Sequence, residues 1–397
     1  MSDCENRVSI IQSATYARVD LGRYEDNVRI LRAIAGEDKA FMAVLKANAY
    51  GHGAVACGRA ATRSGANYLA VARISEGVQL RLAGIDAPIL VFGGPNLAQL
   101  DRAVSQSLTI SVGTEAALEA VQDAAQRSSE RPIVHLKIDS GLHRYGALPD
   151  LAFDIARKLA DDERIVFEGI YGHFSSADES DLSVTREQIA RTERLVKQLG
   201  DADIVPRYVH LANSAGTITG QQGRSNLVRA GIATYGLKPS PDVSLPYGMV
   251  PVLSIHSRLT RSFVLPRGEG VSYGLTYRPQ GNELIGTVPI GYADGLPRSL
   301  SNLGWFIVNG ERSPIRGRVC MDQAVVGLSK QATVGDEVSV IGDGSEGTMS
   351  FDDVARLDGT INYEIATRLT ERVPRVYYRS GEPVGWEDPI LGESEGG

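Results

Sequence analysis

FMAVLKA (41–47), NYLAVAR (67–73), APILVFGG (87–94), LTISVGT (108–114), IVHLKIDSG (133–141), FEGIYGHFS (167–175), YVHLANS (208–214) and NLVRAGIATYG (226–236) are eight short apolar runs, each followed by a segment of helical character. Most are continuous rather than alternating, the pattern of parallel strands buried on both faces. The segments between them supply helices. Thr114 is a good N-cap before Glu115, with Leu118, Val121 and Ala125 on one face, and 181–199 is charged and amphipathic. Eight β/α units in this span predict an α/β fold of the TIM (β/α)8 type, typically about 250 residues with its helices. A doubly wound sheet is the other arrangement open to such a pattern, and eight units favour closure.

After about residue 250 the texture changes to short strands punctuated by turns. WFIVNGERSPIRGRV (305–319) places Asn309-Gly310 between two strand-like runs, a strong hairpin signal, and DEVSVIGDG (336–344) ends a strand at a Gly-rich turn. The reading is a barrel at about 15–250 followed by a mostly β domain at about 251–385, with one helix near 352–370. TYARVDL (15–21) suits a strand of either domain, and residues 1–14 are expected to pack with the C-terminal one.

With 397 residues there is room for two or three domains at about 100 to 200 residues each. Hydrophobic residues at 43% and charged residues at 22% argue for an ordinary globular protein, not a disordered or fibrous one. Forty-one basic against 48 acidic residues give a net charge of −7 without blocks of like charge, which argues against nucleic acid or an anionic membrane as partner. Cys4, Cys57 and Cys320 are far apart and outside CxxC spacing, so neither a disulfide framework nor a metal site is expected. MSDCENRVSI at the N-terminus lacks the apolar core of a signal peptide and no run reaches the ~18 residues of a membrane span, so the expected compartment is the cytoplasm.

Lys46 follows the run FMAVL at the C-terminal end of the first barrel strand, the face on which barrel enzymes build their active sites. Such a lysine is by default a surface residue whose stem lies along apolar neighbours. The turn KANAYGHG (46–53) changes the weighting, because it adds two glycines and the Tyr50 hydroxyl, groups suited to a phosphate. A desolvated lysine amine is also the side chain that condenses with an aldehyde. Phosphate in barrels is often bound after strands seven and eight, where Ser214, Gly231 and Ile232 lie. Their backbone N–H groups with the Ser214 and Tyr50 hydroxyls could hold a dianion. Singly, each is equally well a cap or a packing glycine.

KANAYGHG, GLHRYG (141–146), GIYGHF (169–174), HLANSAG (210–216), VRAGIATYG (228–236), VSYGLTY (271–277), PIGYADG (289–295), GRVCMDQ (317–323) and RVPRVY (372–377) together resemble the alanine racemases, pyridoxal-phosphate (PLP) enzymes built from a barrel and a β domain. Any one segment is weak; nine in family order over nearly the whole chain are specific. The resemblance implies that Lys46 carries PLP as a Schiff base and acts as one catalytic base, and that Tyr273 is the base on the opposite face. Two bases suit racemisation, since a single one tends to return the proton to the side it left. A phenol with a reference pKa near 10 needs help at neutral pH, and His173 is the family's helper.

By the same resemblance Arg229 faces the pyridine nitrogen, Tyr50, Ser214, Gly231 and Ile232 bind the cofactor, and Arg144, Tyr292 and Met321 meet the substrate. Lys137 matches a lysine carbamylated in many members, against the plainer reading of an ion pair. A homodimer with shared active sites is implied. Leu142, Tyr145 and Glu371 depart from the common pattern, and Glu371 bears on entry and substrate preference. The rivals are a serine or broad-specificity racemase or a decarboxylase of the same fold, and a non-enzymatic PLP-binding protein consisting of the barrel alone. VSYGLTY and GYADG argue against the decarboxylase, and the ~150-residue C-terminal region argues against the barrel-only protein.

Overall fold

The computed structural model describes residues 13–94 and 96–397, so the expectations placed on residues 1–12 lie outside it. Two compact units emerge among the described residues, one of residues 24–49 and 57–249, the other of residues 13–23, 50–56 and 250–397.

The first strand, β1 (Tyr16–Asp20), belongs to the second unit. The first unit holds β2 (Ala40–Val44), β3 (Tyr68–Val71), β4 (Ile89–Val91), β5 (Thr109–Val112), β6 (Ile133–Lys137), β7 (Val166–Tyr171), β8 (Tyr208–His210) and β9 (Leu227–Ala230). All eight runs read from the sequence are strands, and every ladder among them is parallel. Closure between β8 and β9 rests on Asn226 N–H to Val209 O at 3.1 Å and Arg229 N–H to Ala212 O at 3.0 Å. β3, β4, β5 and β9 are buried at every position, as continuous apolar runs require when helices cover one face and the barrel interior the other. The helix Glu115–Arg127 starts where expected: Thr114 Oγ1 accepts from Ala117 N–H at 3.2 Å, and Ala117, Leu118, Val121, Ala124 and Ala125 are buried. The stretch read as amphipathic forms Ser183–Asp201.

In the second unit β1 lies between β10 (Leu253–Arg258) and the later strand of RVPRVY, antiparallel to the first and parallel to the second. Its half-buried alternation is that of a one-sided sheet, and the parallel sheet of the first unit has β2 as its first strand in the chain. β11 (Arg261–Leu265), β12 (Glu283–Val288) and a third strand form a small antiparallel sheet over Leu265, Val271 and Ile285. The hairpin β13 (Trp305–Val308) and β14 (Glu311–Pro314) turns at Asn309 and Gly310, with φ of 50° and 76°, as a two-residue loop demands. β15 (Ala324–Gly327) completes the small sheet, and β16 (Glu337–Ile341), β17 (Arg375–Arg379), β18 (Glu382–Asp388) and β19 (Glu393–Gly396) complete the large one. Strand structure thus runs past 385. The helix expected near 352–370 is two helices, Phe351–Asp358 and Asn362–Thr367, because Gly359 at φ 74° caps the first in the left-handed region.

Candidate active site

The turn after β2 is the most distorted backbone of the barrel unit. Ala47, Asn48, Ala49 and Tyr50 all have φ of 53–54°, a complete left-handed turn made without glycine. Left-handed helix costs L-residues roughly 1–2 kcal/mol each, so surrounding contacts must hold it. Glu76 does so: Oε1 accepts Ala47 N–H at 2.7 Å, while Oε2 accepts Ala72 and Arg73 N–H at 2.8 and 2.9 Å. Glu76 drew no attention in the sequence, since a Glu in the first turn of a helix is ordinary. Tyr50 ends the turn buried, which pushes its phenol well up, and it already belongs to the second unit, where its ring lies 6.3 Å from that of Tyr363. Gly51 is required there, as a Cβ on it would lie 2.4 Å from Ala366 O.

Lys46 opens this turn half-buried, and its amine is held below the ordinary lysine range by burial and by the Arg144 charge, with Glu76 opposing. Arg144 is exposed. Lys137, at the end of β6, is 6% exposed and donates to Ile138 O at 2.8 Å. Burial, then Arg229, pushes its amine down to about 7 despite Asp139. His173 is pushed well below its ordinary value by burial, with Arg229, Lys137, Arg144 and Lys46 adding to it, so the imidazole is neutral.

Arg229 on β9 is 2% exposed and has no ion-pair partner among the described residues. Neutral acceptors hold it instead. Nη1 donates to His210 Nδ1 at 3.0 Å and His210 O at 2.9 Å, and Nη2 to Gly172 O at 2.9 Å, Leu211 O at 2.9 Å and His173 Nδ1 at 3.2 Å. None of these bonds uses Nε, which is left as the donor for an outside acceptor. Burial pushes the guanidinium down to about 10, still fully charged at neutral pH.

Ser214 Oγ accepts the N–H of Gly231 at 2.9 Å and of Ala233 at 3.3 Å. The Gly231 N–H is thus engaged within the loop, and the Ser214 hydroxyl proton becomes the donor available to an anion. Ile232 follows Gly231 in the same turn. Lys46, Lys137, Arg144, His173, Ser214, Arg229, Gly231 and Ile232 therefore all belong to the barrel unit, six of them within two residues of a strand end.

The other four, Tyr50, Tyr273, Tyr292 and Met321, belong to the second unit, and the last three share one edge of it. Ser272 at φ 61° and Gly274 at φ 73° set the single turn that presents Tyr273, 72% exposed. Ser272 Oγ bonds Arg318 O at 2.6 Å, and Tyr292 and Ala293 N–H bond Cys320 O at 3.1 Å and Met321 O at 2.8 Å. Met321 and Tyr292 are exposed beside it, an apolar and aromatic edge of the kind that partners cover. Among the departures, the Tyr145 ring sits where Cβ atoms on Gly94 and Gly113 would lie 3.0 and 3.1 Å from it, and Glu371 is exposed.

The sequence reading passed over His135, Glu168 and His210, the polar residues that fill the barrel around Arg229. Each interrupts an apolar strand run (IVHLK, FEGIY, YVHLA), and that interruption was the available signal.

The alanine racemase N-terminal domain family matches residues 19–239 and the C-terminal domain family residues 252–377. The chain is 39% identical to an alanine racemase of Halalkalibacterium halodurans over 95% of this chain and 98% of that one, and 42% identical to one of Geobacillus stearothermophilus over 92% and 94%. Among solved structures, the alanine racemase of Bacillus anthracis with bound L-Ala-P is 36% identical, with a TM-score of 0.90, covering 96% of this chain and 100% of that one. With both domain families matched in order and relatives aligned almost end to end, the chain belongs to the alanine racemase family.

Proposed function

We propose that the chain is a PLP-dependent isomerase that interconverts L- and D-alanine by two bases, as a cytoplasmic homodimer supplying D-alanine. The single observation that carries this reading is Arg229: a buried guanidinium held only by neutral acceptors, with Nε unused, in a barrel whose mouth also holds a lysine pressed toward its neutral form. These groups fit the cofactor. Arg229 Nε would meet the ring nitrogen, Lys46 the aldehyde carbon, and the Ser214 hydroxyl with the Gly231–Ile232 turn and Tyr50 the phosphate. When bound, PLP supplies the electron sink for the charge left at Cα.

The rest is the work of this chain's side chains. Lys46, desolvated, accepts or returns the α-proton on one side. Tyr273 is exposed in its own subunit and suits covering by a second copy, so the partner subunit's Tyr273 serves the other side. With Nδ1 accepting from Arg229, neutral His173 carries its proton on Nε2, a donor that stabilises a phenolate. Arg144 takes the substrate carboxylate, with Tyr292 and Met321 bounding the side-chain end, and Lys137 is carbamylated and pairs with Arg144.

Purified protein incubated with single L-amino acids, each followed by chiral chromatography, tests the reading. L-Alanine should be racemised fastest. Faster turnover of serine would assign the broad-specificity alternative, and no racemisation of any amino acid would reject the enzyme.

A further inference from the structure

Beneath Arg229 a chain of buried polar groups leads away from the site. His210 Nε2 lies 2.9 Å from His135 Nδ1, and His135 Nε2 lies 3.2 Å from Glu168 Oε2. Both imidazoles are fully buried, and the Glu168 side chain is 16% exposed. Tyr68 donates to the same carboxylate oxygen at 2.9 Å, and Arg207, largely exposed, stands 3.7 Å from the other. The packing leaves no slack: Tyr171 stacks on His210 with centroids 4.9 Å apart, and a Cβ on Gly169 would lie 2.8 Å from the His135 ring.

The donors decide where every proton sits. A guanidinium has no acceptor, so His210 Nδ1 must accept from Arg229. Neutral His210 then carries its proton on Nε2 and donates to His135 Nδ1. His135 in turn carries its proton on Nε2 and donates to Glu168, which as a carboxylate only accepts. All three hydrogen bonds run the same way and polarise one another. Burial holds both histidines below their ordinary range, and for Glu168 the bonds from His135 and Tyr68 outweigh burial and hold the carboxyl down.

We infer that Glu168 is a positioning residue for Arg229, acting through His135 and His210 by setting both tautomers and by supplying the counter-charge that the buried guanidinium lacks at first hand. This rests on the reading of Arg229 as the group facing the cofactor's ring nitrogen. Without the carboxylate, His135 is free to carry its proton on Nδ1, which sets two N–H groups against each other at His210 and loosens the hold on Nη1. The guanidinium also becomes a stronger acid, readier to share its proton with the ring nitrogen. A protonated ring is a stronger electron sink, and it favours returning the proton to the cofactor's own carbon. That diversion is transamination, which releases pyruvate from alanine and leaves the cofactor as its amine.

The test uses holoenzyme labelled with 15N-histidine, the two resonance sets being identified by their loss in His135→Asn and His210→Asn. In the wild type both should report neutral Nε2–H imidazoles, unchanged from pH 6 to 9. Glu168→Leu should mix the tautomers and raise pyruvate released per racemisation roughly three- to tenfold, the scale of one unit charge in the interior. Glu168→Gln, which keeps the shape and the acceptor, should show the rise without the mixing, and Glu168→Asp should reverse part of it. Arg229→Glu serves as the reference for the cofactor link. A wild-type Nδ1–H on either histidine overturns the proposal, as does a wild-type partition in the Glu168 variants when Arg229→Glu raises it. Should Arg229→Glu itself leave the partition unchanged, the reading of Arg229 falls, and the relay stands or falls on the tautomers of Glu168→Leu.

Discussion

Lys137 should make stability depend on pH with a sign opposite to that of an ordinary salt-bridged lysine. Its amine is pushed down to about 7 in the folded chain from the ordinary lysine value of 10.5, first by burial and then by Arg229. Below pH 7 the folded state must hold a buried ammonium near two guanidinium groups, a cost on the order of 5 kcal/mol at about 1.4 kcal/mol per pKa unit. Between about 7 and 10.5 the unfolded chain still binds the proton that the folded chain has released, so stability rises with pH. The slope from this group approaches about 1.4 kcal/mol per pH unit above pH 8. The assay is urea unfolding at intervals from pH 6 to 9 in carbon dioxide-free buffer, comparing wild type with Lys137→Met, so that other titrations cancel in the difference. Added bicarbonate should then stabilise the wild type alone, because a neutral buried amine can form a carbamate whose negative charge suits Arg144. Parallel pH curves for the two proteins, with or without bicarbonate, would refute the reasoning.

Borohydride reduction of the PLP-loaded protein should fix the cofactor to the peptide containing Lys46, seen by mass spectrometry; label on any other lysine would sink the assignment. Lys46→Ala and Tyr273→Phe homodimers should each be nearly inactive. If sites are shared, exchanged mixed dimers regain up to about half the activity, because one site then carries both lesions and the other none. No recovery despite demonstrated exchange would place both bases in one chain. Arg229→Glu should slow racemisation and increase pyruvate formation, since the ring nitrogen can then hold a proton; a folded, PLP-loaded variant with wild-type racemisation and no added pyruvate would falsify that role.

Much of this was legible in the chain because it is locally encoded. A strand buried on both faces is largely apolar, so eight such runs with helices between them favour the barrel without any partner being known. Asn309-Gly310 specifies its hairpin through two positive φ angles that few other residue pairs tolerate. Lys46 and Ser214 draw attention because strand ends fix where side chains emerge, whereas Arg229 is singled out only through the family resemblance. What the linear sequence left undecided depends on which element lies alongside. The alternation of Tyr16–Asp20 suits any half-buried sheet, and only pairing with β10 and β17 assigns it to the second unit. KANAY carries residues that favour a right-handed helix, and its left-handed turn exists because Glu76, 29 positions away from Ala47, bonds the backbone into it. His135, Glu168, His210 and Arg229 come from four strands, and nothing in their own neighbourhoods says that they touch. Their hydrogen bonds were decided when closure brought those strands together.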